Sequence, residues 1–176
     1  MDFFKQHFTP EELLEGKLFL INKPLGWTSF QVVNKLRWHL KNLSGLKKIK
    51  VGHAGTLDPL ATGLLLICTG KKTKSISTLQ ETEKEYTGTF LMGATTPTYD
   101  LETSIDQTFD TKLLTEEIIL KTTIKFTGEI LQYPPVFSAL KKNGKRLYEY
   151  ARAGEDPEIT PRTVNVHEFK IIKIKG

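Results

Sequence analysis

Three observations predict an α+β fold with a mixed, largely antiparallel central sheet flanked by helices and loops. Helical and strand-like periodicities are interspersed along the chain instead of alternating strictly. Several strand-like runs are joined too tightly to hold the crossover helix that a parallel pair requires. The chain has 176 residues, 39% of them apolar and 10% aromatic, which is enough for one packed core and excludes wholesale disorder. No internal repeat or low-complexity linker interrupts it, so a single domain over residues 1–176 is expected.

The elements follow in order. Thr9-Pro10-Glu11-Glu12 starts a helix, with a capping threonine, proline in the first position and acids in the first turn. Lys17 to Asn22 reads as a short apolar strand, stopped at Lys23-Pro24-Leu25-Gly26. Thr28-Ser29-Phe30-Gln31 has the form of a capping box. The helix it starts runs to about Asn42, burying Val32, Val33, Leu36 and Leu40 and presenting Lys35, Arg37 and Lys41 on its other face. A basic loop, Leu46 to Lys50, leads into the stretch Val51 to Gly63. Leu64 to Thr69 reads as a buried strand, Lys72 to Leu79 as a short helix, and Lys84 to Met92 as an alternating strand. Thr95 to Phe109 is loop-like and acidic, and Thr115 caps a helix to about Thr123. Tyr133-Pro134-Pro135 fits neither a helix interior nor a central strand. Gly144 to Ala153 reads as helical and Thr163 to Lys173 as a last strand.

Charge is segregated. The net charge is +5, and the distribution says more than the total. Gly16 to Leu57 holds eight Lys or Arg and no acid, whereas Glu81 to Asp110 holds seven acids and one Lys. Such separation builds a positive face suited to a polyanion, nucleic acid first. A solvated basic face without a partner is the plainer reading. Cys68 is the one cysteine and sits in an apolar run, so it reads as a small buried hydrophobe. With no disulfide framework, signal peptide or membrane-length apolar run, a cytoplasmic protein is expected.

The motif inventory is short. His7, His39, His53 and His167 are scattered, and no Cys/His cluster has zinc spacing. Thr69 to Thr73 fails as a phosphate loop, because positions 65 and 72 hold Leu65 and Lys72 where glycine and Ser or Thr are needed. No motif implies a metal or cofactor. The densest stretch is Gly52-His53-Ala54-Gly55-Thr56-Leu57-Asp58-Pro59-Leu60-Ala61-Thr62-Gly63, where glycines permit tight turns and close approach of another chain. Locally, Asp58 fits the cap of a short helix beginning at Pro59. His53 fits a loop histidine without a role, or a flat side chain that fills the space left by an extruded base.

Gly52 to Gly63 resembles the catalytic signature of the B-type tRNA pseudouridine synthases. Asn22-Lys23-Pro24-Leu25-Gly26-Trp27-Thr28-Ser29 resembles that family's first motif, and Lys84-Glu85-Tyr86 its Lys-x-Tyr. Gln132 to Lys141 resembles its Pro-Pro-x-(Phe/Tyr)-Ser-Ala-x-Lys segment, and Gly144 to Gly154 its Gly-x-x-x-Tyr-x-x-Ala-Arg-x-Gly run. The motifs stand in family order and cover about residues 17 to 169.

The resemblance implies the pseudouridine synthase fold and conversion of one uridine in the T loop of tRNA to pseudouridine, without metal or cofactor. A stacked target base must be flipped out, at a cost of a few kcal/mol offset by phosphate contacts and burial. It implies that Asp58 is the catalytic carboxylate. Three routes fit such a group: an adduct with the ribose, removal of the 2′ proton, or attack on the uracil ring. His53 matches the histidine that replaces the flipped base, Tyr86 the tyrosine that stacks on it, and Lys23 and Pro24 residues of the pocket wall. By composition alone Tyr86 is a strand aromatic.

Phe137 to Gly154 resembles a thumb loop that closes on the RNA arm. Its Lys141, Lys145, Arg146 and Arg152 would meet phosphates. The plainer reading is an amphipathic helix with Leu147, Tyr148 and Ala151 inward. Family members continue past this chain's last residues with a Gly-Thr-Tyr-Ile-Arg strand, whose arginine pairs with the aspartate. The chain is therefore expected to be an incomplete catalytic domain without a separate C-terminal RNA-binding module, to be monomeric, and to be nearly inactive alone. An RNA-binding or RNA-folding module without turnover is the alternative.

Overall fold

The computed structural model describes residues 8–136, 141–155 and 159–175. The chain divides into two units, Met1–Gly88 and Thr89–Gly176.

In the first unit, helix α1 (Pro10–Glu15) precedes strand β1 (Leu18–Lys23). Helix α2 (Ser29–Ser44) leads to β2 (Val51–His53) and β3 (Gly63–Thr69). A 3-10 turn (Gly70–Ser75) then runs into α3 (Ile76–Gln80). The capping box expected at Thr28 forms with Gln31, and the cap expected at Thr9 proves to be a capping box too, with Glu12. Gly45 ends α2 in the left-handed conformation, φ 70°.

The sheet has the order β1-β3-β2, and both ladders are antiparallel. Leu18 faces Cys68 and Lys23 faces Gly63 across one edge of β3, while Val51 faces Thr69 and His53 faces Ile67 across the other. Val32, Val33, Leu36 and Leu40 of α2 are buried, as their spacing predicts. They pack with Leu13, Phe19, Leu65 and Ile67 as one core. Alternation along β1 turns Phe19 and Lys23 inward and leaves Leu20 and Asn22 outward.

Gly70 joins sheet to turn at φ 52°, and a Cβ built there would lie 2.0 Å from the Leu14 carbonyl oxygen. Only glycine allows α1 to approach so closely.

The second unit has short ladders. β4 (Ala94–Thr95) pairs with β5 (Gln107–Thr108), and α4 (Glu116–Ile124) is capped by Thr115. β6 (Gly128–Gln132) pairs with β9 (Arg162–Val166). β7 (Lys141–Lys142) and β8 (Lys145–Arg146) form a hairpin that feeds α5 (Leu147–Arg152). Helices and antiparallel sheets together give the α+β class. Every ladder among the described residues is antiparallel.

Four expectations about elements require correction. Residues 83–91 carry no regular structure, so the strand expected at Lys84 to Met92 does not form. Its alternation is present, but no neighbouring strand takes its backbone groups, and a strand without a ladder leaves them to water. The helix expected from Gly144 begins instead at Leu147, after the β7–β8 hairpin. The helix expected at Lys72 to Leu79 is split into the 3-10 turn and α3. The last strand stops at Val166, where its partner β6 also ends, at Gly128.

Candidate active site

The loop between β2 and β3 carries Asp58, and four residues of the first motif hold it. Ser29, the first residue of α2, is buried and makes a reciprocal pair with Leu57. The Leu57 N–H donates to Ser29 Oγ at 2.9 Å, and Ser29 Oγ donates to the Leu57 carbonyl at 3.1 Å. Beyond Asp58, the Pro59 carbonyl accepts from the Gly26 N–H at 2.8 Å and from Lys23 Nζ at 3.3 Å. The loop closes where the Gly63 N–H donates to Asn22 Oδ1 at 3.2 Å.

Lys23 is fully buried at an inward position of β1. Besides Pro59, its ammonium donates to the carbonyls of Trp27 at 2.5 Å and Pro24 at 3.1 Å. Three donors meet three acceptors, which is how a buried ammonium is kept. Lys23 thus ties its own turn to the Asp58 loop and turns no charge toward solvent. Pro24 is exposed beside it.

Asp58 is exposed. Among the described residues its carboxylate has no hydrogen-bond or ion-pair partner. The expectation that it caps a helix from Pro59 is wrong: Pro59 and Leu60 form a single turn, closed by the Ala61 N–H on the Asp58 carbonyl at 3.0 Å. With no further helical turn there are no orphan amides for a cap to satisfy. Its neighbours on both sides are anchored while the carboxylate stays free for a ligand.

His53 ends β2, partly buried, with Nδ1 2.5 Å from the Gly55 carbonyl oxygen. A carbonyl only accepts, so Nδ1 carries the hydrogen and donates. This sets the ring at the entrance of the loop. Tyr86 lies in the irregular segment 83–91 and is 71% exposed. Among the described residues it has no hydrogen bond or ring contact.

The basic residues of the thumb-like segment belong to the second unit. Lys145 is paired with Glu155 at 3.1 Å and lies over the Tyr150 ring at 4.3 Å. The backbones of Lys141, Arg146 and Arg152 sit in β7, β8 and α5. Their side chains, with residues 137–140, lie outside the described residues, as do the side chains of Tyr148 and Ala151. Leu147 is buried, as expected.

Sequence reasoning named Asp58 and His53 as candidates but gave Ser29, Asn22 and Gly26 no role at the site. The available signal was their position inside the motif spanning Asn22 to Ser29.

Residues 41–176 match the family described as TruB family pseudouridylate synthase (N terminal domain). The chain belongs to that family. Among relatives of this TruB-family chain, one from Flavobacterium johnsoniae is 65% identical over 167 residues, covering 94% of this chain and 73% of the relative. One from Phocaeicola vulgatus is 52% identical over 159 residues, covering 90% and 68%. A third, from Bacteroides fragilis, is 50% identical over 159 residues with the same coverage, 90% and 68%. Each of the three is named tRNA pseudouridine synthase B. Among the described residues of the TruB-family chain, no helix is long and apolar enough to cross a membrane.

Proposed function

We propose that this chain provides the aspartate loop of an enzyme that converts a uridine in the T loop of tRNA to pseudouridine. The observation that carries the reading is the exposed Asp58 carboxylate, without a partner among the described residues, between two anchored neighbours. Catalysis needs a reacting group whose position is set before substrate arrives, and hydrogen bonds from Ser29, Lys23 and Gly26 supply that here.

A base inside folded RNA is out of reach, so the target nucleotide is flipped toward the loop. The imidazole of His53 takes the vacated place, and Tyr86 stacks on the extruded base. Asp58, ionised, acts on the ribose or the base while the bond from sugar to ring nitrogen breaks. The uracil turns and a bond from the same sugar carbon to a ring carbon forms, that carbon losing its proton and the freed ring nitrogen gaining one. Pro24 and the turn held by Lys23 form part of the wall. Lys141, Lys145, Arg146 and Arg152 contact phosphates of the RNA arm, which for Lys145 requires release from Glu155. The partner is tRNA, through its T arm, and the enzyme works in the cytoplasm as a monomer.

The test is pseudouridine formation in a T-arm hairpin. The chain is assayed alone and joined after Gly176 to the C-terminal part of the Flavobacterium johnsoniae relative. Turnover is expected in the joined protein and little in the chain alone. Tight RNA binding with no pseudouridine in either form would instead establish a binding module.

A further inference from the structure

We infer that a cationic cavity at the far end of α2 from Ser29 is a second RNA site, taking backbone phosphates of a stem outside the target loop. The inference rests on the reading that the chain acts on RNA.

The cavity has a volume of about 630 Å³. Helix α2 contributes Arg37 and Lys41, and the loop before β2 contributes Lys47, Lys48 and Lys50. The 3-10 turn adds Lys71 and Lys74 from a separate stretch of sequence. No acid lines it. Leu14 and Ile49 add apolar wall, a low-dielectric surround that strengthens the field.

Partners account for two of these cations. Lys71 pairs with Glu15 at 2.7 Å, and Arg37 is held by Asn34 and the Val51 carbonyl. The ammonium groups of Lys41, Lys47, Lys48, Lys50 and Lys74 have no ion-pair or hydrogen-bond partner among the described residues. Five like charges converging on one concavity repel one another unless a polyanion sits there. Their flexible point charges suit a phosphate backbone better than bidentate recognition of one small anion.

Placement separates this site from the aspartate loop. Ser29 binds Leu57 at the start of α2, whereas Lys41 lies twelve residues later, about 18 Å along the helix axis. A nucleic acid touching both ends spans several nucleotides. The phosphates at the cavity therefore belong to a stem, not to the flipped nucleotide.

The experiment measures binding of this chain by fluorescence anisotropy across a salt series. The probes are a T-arm hairpin with a full stem and an isolated single-stranded loop sequence. The variant is Lys47→Ala/Lys48→Ala/Lys74→Ala. Lys112→Ala/Lys121→Ala/Lys125→Ala in the second unit removes the same charge elsewhere, and thermal melts check folding. Loss of three phosphate contacts should flatten the slope of log affinity against log salt by roughly 2 to 3 for the stem-containing RNA. The loop sequence and the control variant should show no such change. An unchanged slope overturns the inference. Equal losses in the control, or equal losses for the loop sequence, also overturn it. Pseudouridine formation by the joined protein is scored separately. The cavity can thus fail while the catalytic reading holds, or hold while that reading fails.

Discussion

Lys23 and Ser29 act through backbone atoms on either side of Asp58. Removing the buried Lys23 ammonium strands the three carbonyls it holds, so Lys23→Met should lower stability by about 3 kcal/mol in a denaturant titration. Ser29→Ala removes a smaller clamp and should cost about 1–2 kcal/mol. In an active form of the protein, Ser29→Ala should also reduce kcat by about 10-fold to 100-fold with KM little changed, since the carboxylate is displaced and RNA contacts remain. A fall in KM-linked affinity with kcat preserved would show that Ser29 serves binding instead. Phe19, Ile21 and Lys23 alternate along β1, but the strand was expected to end at Asn22, so the inward place of Lys23 was not read from the sequence. What composition could not reveal is that the ammonium takes two carbonyls from the turn after the strand, Pro24 and Trp27, and a third, Pro59, from a loop more than thirty residues later.

Elements set by local chemistry were readable. Both helix caps, the buried stripe of α2 and the apolar strand β3 formed where spacing placed them. Elements that need a distant partner were not. The segment 83–91 alternates like a strand yet has no ladder, and β2 was hidden because its sequence includes a glycine and a histidine. The β7–β8 hairpin had a signal that went unused. Asn143 and Gly144 both adopt positive φ, 52° and 82°, the pattern of a two-residue hairpin turn.

Two predictions belong to this scale. Gly70→Ala places a Cβ on the Leu14 carbonyl and should lower Tm by several degrees or prevent folding, whereas Gly26→Ala meets open space and carries only the backbone strain of its φ of 78°, so it should cost less. Cys68 is buried in β3. Burial pushes its thiol upward, with the positive charge of Lys72 opposing weakly. A raised thiol holds less thiolate at any given pH, so at pH 8 native Cys68 should react slowly with a thiol reagent and rapidly once denaturant is added.

For the whole molecule, the segregation of charge seen in sequence takes a definite form. The basic stretch from Gly16 to Leu57 supplies one buried clamp, Lys23, and most of the cations around the cavity beyond α2. The same region therefore anchors the aspartate loop and offers a phosphate surface. The acidic stretch lies mainly in the second unit, among the short ladders β4 and β5. Family membership was legible because five motifs stood in order. The thumb-like segment was less so, since the Lys145 charge is already answered by Glu155.

The most direct test is pseudouridine formation in a T-arm hairpin by the joined protein, compared between Asp58 and Asp58→Asn. An isosteric amide keeps the loop and its backbone bonds but removes the charge. Turnover should fall by at least about 100-fold while RNA affinity stays within a few-fold. Turnover retained in Asp58→Asn would contradict the assignment of the chemistry to that carboxylate.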